Sequence, residues 1–176
     1  KTTMRRSPMR RWTVRLPVVA LVSGILAACT GPSGLPTDPA DAIRLADGQV
    51  DTLLSSTWSG IARSQRTVIR SAGAWSAFWA EAHASLTPQP PAPQVDFATS
   101  TVIALAMGGR STGGYAIRVR DIYESDDGMH VVVEEMSPGM NCGVTQALTN
   151  PVFAIAVGRS NTAVTFVEEK TVRDCD

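Results

Sequence analysis

Alternating apolar and polar residues predict a domain built mainly from short β-strands. Residues 101–107 form an almost unbroken apolar run, which is typical of a central strand covered on both faces. From Tyr115 onward, Ile117 and Val119 alternate with arginines, which indicates a strand with one face in water. Five further segments have the composition of strands, namely residues 50–58, 66–70, 129–136, 151–157 and 163–168.

One segment has the period of a helix. Trp75, Phe78 and Trp79 are spaced i, i+3 and i+4, so they share one face of a helix that begins after Ser71 and runs to about Ala84. We expect this face to pack against a sheet, and a cofactor or lipid site on it is the alternative. One packed, aromatic-faced helix among about six or seven short strands predicts an α+β fold with a mainly antiparallel β-sheet.

The N-terminal residues have the pattern of an export signal. Five arginines precede a 13-residue, largely apolar stretch from Leu16 to Ala28. This stretch is too short for a membrane span, because a spanning helix needs about 20 apolar residues. It ends in Leu26-Ala27-Ala28-Cys29, which predicts a lipoprotein signal peptide over residues 1–28 and a fatty-acylated (palmitate-bearing) Cys29 as the new N-terminus. An ordinary secretory signal with a chance cysteine is the alternative.

These features predict a bacterial cell-envelope protein held on a membrane by its lipid. Thr30, rather than an aspartate, follows the cysteine, which favours the outer membrane, with the domain facing the periplasm. Residues 29–47 are rich in glycine and proline and are expected to form a flexible tether. Residues 48–176 have the length of a single globular domain.

The charge of the mature chain argues against a nucleic-acid partner. The whole chain has 16 basic and 16 acidic residues, but six of the basic ones lie in the predicted signal, which has no acids. The mature chain therefore has 10 basic and 16 acidic residues. Nucleic-acid binding needs a basic surface that displaces counterions, so we expect no nucleic-acid partner.

Two cysteines remain once Cys29 is assigned to the lipid. In an oxidising envelope compartment, Cys142 and Cys175 are expected to form a disulfide. The bond would close a loop of about 33 residues, which is worth about 3–4 kcal/mol in the chain-entropy model, and would fix the C-terminal tail to the domain.

The segment from Gly109 to Ile117, with the preceding Val102-Ile103-Ala104-Leu105, resembles the C-terminal domain of PrcB-type protease complex subunits. The likeness extends over about residues 75–158. These subunits are envelope lipoproteins named as accessory partners of a surface protease. The resemblance implies a role in stabilising or assembling another envelope protein, and it brings no catalytic residues.

The glycine-rich segment has two interpretations. Gly108-Gly109 and Gly113-Gly114 are typical of a tight hairpin between adjacent strands, because glycine reaches positive φ without a Cβ clash. Alternatively, the segment is a mobile loop tip that presents side chains to a partner. The candidate partner-binding residues are Arg110, Ser111, Thr112, Gly113, Gly114 and Tyr115. The long loop of residues 137–150 is a second candidate contact surface.

We expect no enzyme activity, cofactor or metal. His83 and His130 do not have the spacing of zinc ligands. A Cys142–His130 nucleophile pair is conceivable, but the expected disulfide would consume the thiol. Glu134 and Glu135 alternate along a strand, so they point to opposite faces and cannot form a catalytic dyad. Besides an accessory protein, a protease inhibitor and a small-molecule or lipid carrier remain as alternatives, the carrier requiring a cavity lined by the aromatic helix face.

Overall fold

A computed structural model describes residues 43–44 and 50–175 of the chain. This part contains eight strands and one helix. In chain order they are β1 (Ile43–Arg44), β2 (Asp51–Ser56), β3 (Gln65–Ile69), α1 (Ala72–Ala82), β4 (Ser100–Ala106), β5 (Ala116–Ser125), β6 (Gly128–Pro138), β7 (Val152–Gly158) and β8 (Val164–Arg173). The predicted signal peptide and Cys29 lie outside the described residues.

The strands form two four-stranded sheets. Sheet A has the order β1-β5-β6-β8 and sheet B the order β2-β7-β4-β3. Every pairing is antiparallel except that of β6 with β8, which is parallel. The α+β class and the mainly antiparallel pairing are confirmed. The division into two sheets was not predicted, because alternation shows which face of a strand is buried and not which strands are its neighbours.

Part of the predicted tether is a strand. Ile43 and Arg44 lie within residues 29–47, yet they pair with Glu124 and Tyr123 of β5. For these two residues the prediction of a flexible tether is wrong, because composition cannot reveal pairing with a strand about 80 positions away. Residues 29–42 and 45–47 lie outside the described part of the chain.

The two sheets pack face to face, and the helix covers the far side of sheet B. Ile103 and Ile155 of sheet B share one buried cluster with Ile117, Val131 and Val133 of sheet A. Alternate residues of β4 and β7 face a second cluster that contains the helix. Strand β4 is therefore covered on both faces, as its apolar run predicts.

The aromatic face of α1 is packed core. The helix begins after Ser71, whose side chain accepts a hydrogen bond from the Ala74 amide at 3.4 Å. The Trp75 and Trp79 indoles donate to the carbonyls of Pro93 and Pro90 at 3.0 and 2.8 Å. The prediction that this face packs against a sheet is confirmed, and the carrier alternative loses the cavity lining that it requires.

The outer face of sheet A is polar, as the alternation in β5 predicts. Arg118 pairs with Glu134, and Arg120 pairs with Glu169. Arg44 of β1 pairs with Asp121. Each of these acids is buried beneath its arginine, so this face is a layer of ion pairs.

Candidate functional site

The glycine-rich loop, residues 107–115, passes from sheet B to sheet A. Strand β4 lies between β3 and β7 in one sheet, whereas β5 lies beside β6 in the other. The hairpin interpretation is therefore wrong, because local turn chemistry does not encode which sheet the next strand joins. Two of the four glycines do need positive φ, Gly108 at +74° and Gly114 at +87°.

The two loops proposed as separate contact surfaces lie side by side. Arg110 and Thr149 exchange two backbone hydrogen bonds of 2.7 and 3.0 Å. The Gly113 amide donates to the carbonyl of Thr145 at 2.9 Å, and the fully buried Thr149 hydroxyl donates to the carbonyl of Thr112 at 2.8 Å. The β4–β5 loop is thus held along its length by the β6–β7 loop.

A third loop joins them through Asn150. This residue donates from its backbone amide to Thr57 at 3.0 Å and from its side chain to the carbonyl of Ser59 at 2.9 Å. The Ser59 hydroxyl returns a hydrogen bond to the Asn150 carbonyl at 2.8 Å. Residues 57–64, 107–115 and 139–151 therefore form one continuous end of the molecule, which we call the three-loop surface.

A disulfide fixes the rim of the three-loop surface. Cys142 and Cys175 are bonded, with their Cα atoms 5.0 Å apart, as the sequence predicts. The Gly139 amide also donates to the carbonyl of Arg173 at 2.9 Å. The C-terminal tail is therefore fastened to the β6–β7 loop. The bond also removes the thiol from the conceivable Cys142–His130 pair, and His130 instead contacts Asp127 at 3.2 Å.

The candidate binding residues differ in exposure. Ser111 is exposed, Arg110, Thr112, Gly114 and Tyr115 are half-buried, and Gly113 is buried. The Arg110 guanidinium lies over the Tyr115 ring, 5.7 Å from its centroid. These residues are built into a hydrogen-bonded surface. Whether they bind a partner stays a prediction.

Two features at or beside the three-loop surface were not predicted from the sequence, and the first is a set of exposed apolar side chains. Trp58 and Leu148 are large apolar side chains with 66% and 79% of their surface exposed, and Met140 is fully exposed. Exposed aromatic and apolar side chains next to an arginine have the composition of a protein-binding surface. The exposure of Trp58 depends on loop packing and has no signal in the sequence pattern.

The second missed feature is a charged groove beside the three-loop surface. Arg66 of β3 reaches across to sheet A, where it bonds Glu168 at 2.8 and 2.9 Å and Glu135 at 2.7 Å. Burial lowers the pKa of Arg66, but the hydrogen bonds to Glu168 and Glu135 outweigh it and raise the pKa above its ordinary value. Arg66 thus joins the two sheets at this edge.

The groove has a volume of about 530 Å³ and is open to solvent. Its charged lining consists of Arg66, Arg110, Glu135, Glu168 and Lys170. Glu135 projects towards this groove, whereas Glu134 bonds Arg118 and Thr171 on the outer face. The two glutamates therefore do not act as a pair, as strand alternation predicts.

The described residues include no group of three or more histidine, cysteine, aspartate or glutamate side chains that could hold a metal ion. Over the same part of the chain, none of the helices combines the length and the hydropathy of a membrane-spanning segment.

Residues 101–157 match the model of a protein family described as PrcB C-terminal. The predicted resemblance to the C-terminal domain of PrcB-type protease complex subunits is confirmed over these residues. The PrcB C-terminal match covers less than half of the chain, from β4 to β7, and so contains the β4–β5 and β6–β7 loops but not α1. No curated protein and no solved structure matches the chain.

Proposed function

We propose that this chain is a lipid-anchored accessory protein of the bacterial envelope that binds and stabilises a protein of a protease complex. The observation that carries the proposal is the position of the family match. The PrcB C-terminal segment supplies two of the three loops that form the three-loop surface. The surface to which these two loops belong also carries the exposed side chains of Trp58, Met140 and Leu148.

The construction of the surface supports a binding role. Backbone hydrogen bonds and the disulfide hold all three loops, so little conformational entropy is lost when a partner docks. Tyrosine, tryptophan and arginine contribute most to binding energy at interfaces, and Tyr115, Trp58 and Arg110 all lie here. This role needs no enzyme activity of the chain itself and no cofactor.

Acylated Cys29 would hold the domain on a membrane, and we assign it to the outer membrane with the domain in the periplasm. This assignment rests on the Leu26-Ala27-Ala28-Cys29 motif and on Thr30. Metabolic labelling with an alkyne fatty acid would test it. We expect label on the full-length chain and none on the Cys29→Ala variant.

The binding proposal is tested by co-purification from detergent-solubilised envelopes of the native host. The tagged chain is compared with a Trp58→Ala/Tyr115→Ala variant and with a Leu86→Ala control variant that keeps Trp58 and Tyr115. Leu86 is a suitable control because it is exposed in the segment after α1, outside the three-loop surface. We expect the first variant to lose a protease-containing complex and the second to keep it. Recovery of the same complex with all three baits would contradict the proposal.

A protease inhibitor is the second candidate function. The loops held by the disulfide and by backbone hydrogen bonds favour it. Rigid loops are what an inhibitor needs to occupy an active-site cleft without paying an ordering cost. The two functions differ in outcome. A stabilising subunit raises proteolysis by the purified protease when it is added, and an inhibitor lowers it.

A further inference from the structure

The charged groove contains two arginines. In the described part of the chain, the side-chain N–H donors of Arg66 are all engaged in hydrogen bonds, whereas most of those of Arg110 are not. Arg66 donates to Glu168, Glu135, Ser64 and the carbonyls of Gln65 and Ala106. Arg110 donates a single side-chain hydrogen bond among the described residues, to the carbonyl of Gly109 at 3.2 Å. A guanidinium has five N–H donors, so most of those on Arg110 are available.

Arg110 is also held in place. Its backbone is paired with Thr149 on both sides, and its guanidinium lies over Tyr115. Glu135 lies 3.8 Å from the guanidinium, which is too far for a hydrogen bond but close enough for attraction. The side chain is therefore oriented while its donors stay free, which is the condition for tight, specific binding.

Lys170 supplies a second positive charge in the same groove. It stands beside Glu135 in the parallel register of β6 and β8, and it is exposed. No ion-pair partner of Lys170 is found within residues 43–44 and 50–175. Arg66 offsets one of the two glutamates, so the groove as a whole carries a small positive charge.

We propose that Arg110 and Lys170 form a carboxylate-binding subsite that receives an acidic group of the protein partner. This inference rests on the proposed function and adds the chemistry by which the partner is recognised. The planar guanidinium fork matches the two oxygens of a carboxylate, and a charge-assisted pair of this kind is stronger than a neutral hydrogen bond. The carboxylate belongs either to an aspartate or glutamate side chain or to a free C-terminus.

The test is an NMR titration of the isotope-labelled full chain in detergent, observing the Arg110 Nε–H and the Tyr115 ring. The probes are N-acetyl-leucine, its neutral amide, and an amidated peptide with one internal aspartate. We expect shifts at Arg110 with at least one carboxylate probe and none with the neutral amide. Which of the two carboxylate probes binds more tightly identifies the source of the carboxylate.

Three variants test whether the carboxylate probes bind at the subsite itself or are held by general electrostatic attraction to the protein. Arg110→Ala is expected to weaken binding at least about tenfold, because a charge-assisted pair is lost. Lys170→Ala is expected to weaken it about two- to fivefold, as for an exposed ion pair. Arg159→Ala removes an exposed arginine of the β7–β8 loop, outside the three-loop surface, and is the matched control, with no expected change in binding. Unchanged spectra elsewhere in Arg110→Ala show that the fold is intact.

Three results would overturn the proposal. They are no shift at Arg110 up to the solubility limit of the probes, equal shifts with the amide, and unchanged affinity in Arg110→Ala. Inorganic phosphate is a further probe, and binding of phosphate without either carboxylate would equally overturn it. If the probes bind at Arg110 but no protease complex is recovered from envelopes, the subsite stands and the protease-complex function fails. If the complex is recovered equally well with Arg110→Ala, the function stands and the subsite is not used by the partner.

Discussion

Arg66 forms ion pairs with two glutamates, Glu135 and Glu168, at the edge where the two sheets meet. The first prediction concerns the stability of the chain when Arg66 is replaced. Glu135 is only 11% exposed, so without Arg66 its charge stays largely desolvated. We expect Arg66→Met to lower the free energy of unfolding by about 2–4 kcal/mol, less than for a fully buried pair because Glu168 is 42% exposed. Urea denaturation of the full chain measures this.

The stability control for Arg66 is Arg63→Ala, which replaces an exposed arginine nearby and should stay within about 0.5 kcal/mol of the parent chain. Adding Glu135→Gln to Arg66→Met removes the buried charge that Arg66 no longer offsets, and should restore part of the loss. A loss as large in the control as in Arg66→Met would contradict this account of the groove.

Asp127 in the β5–β6 turn gives a second prediction at the residue scale. Hydrogen bonds from Ser125 and His130 lower the pKa of its carboxyl below the ordinary value. A depressed pKa in the folded state contributes stability above the unfolded pKa of about 3.9, and this contribution is lost as the pH falls through the folded pKa. Ser125→Ala should raise the Asp127 pKa, measured by carbon NMR titration. An unchanged or lower pKa would show that Ser125 does not set it.

At the scale of elements, Gly114 determines how β5 leaves the three-loop surface. Its φ is +87°, and a Cβ would lie 2.9 Å from both Pro138 and Val144. We expect Gly114→Ala to destabilise the chain by at least about 1–2 kcal/mol, since left-handed backbone is costly for other residues. Gly143→Ala is the matched control in the adjacent loop, because a Cβ there meets nothing within 4 Å. Equal thermal stability of the two variants would refute the argument.

The disulfide acts on an element rather than on the core. Replacing Cys142 and Cys175 with serine should lower the free energy of unfolding by about 2–4 kcal/mol, mainly through the unfolded chain. We expect faster hydrogen exchange in residues 139–145 and unchanged protection of the Arg110–Thr149 pair, which has its own backbone bonds. Loss of protection in β4 as well would mean that the bond supports the whole sandwich.

Elements could be predicted from the sequence more fully than their arrangement. Alternation and the Trp75–Trp79 spacing are local, so they identified strands, the helix and its buried face. The charged groove joins Arg66 to residues 69 and 102 positions away, and such pairs leave no local pattern. Arg110 and Tyr115 could be predicted as candidate binding residues only from their residue types. That Arg110 keeps free donors while Arg66 has none follows only from tertiary contacts.

At the scale of the whole molecule, the chain enters the domain at the end opposite the three-loop surface. β1 pairs with Glu124 and Tyr123, beside the β5–β6 turn, whereas the three loops lie at the other ends of the strands. Ile43 is 14 positions after Cys29, so a lipid on Cys29, as proposed, would be at most about 50 Å of chain from β1. The proposed lipid anchor on Cys29 therefore precedes a strand that lies away from the three-loop surface.

Because β1 lies away from the three-loop surface, we predict that the proposed anchor and the binding surface can each be removed without the other. Cys29→Ala should move the protein from the membrane to the soluble fraction, because an acyl chain supplies the membrane affinity. Its Arg110 shifts with the carboxylate probes should equal those of the parent chain, because residue 29 is not part of the three-loop surface as defined by residues 57–64, 107–115 and 139–151. Conversely, Arg110→Ala should stay in the membrane fraction, but its Tyr115 ring signals should no longer shift with the carboxylate probes. If Cys29→Ala stays membrane-bound, lipid is not the anchor, and if its Arg110 shifts are lost, the N-terminal segment contributes to the three-loop surface.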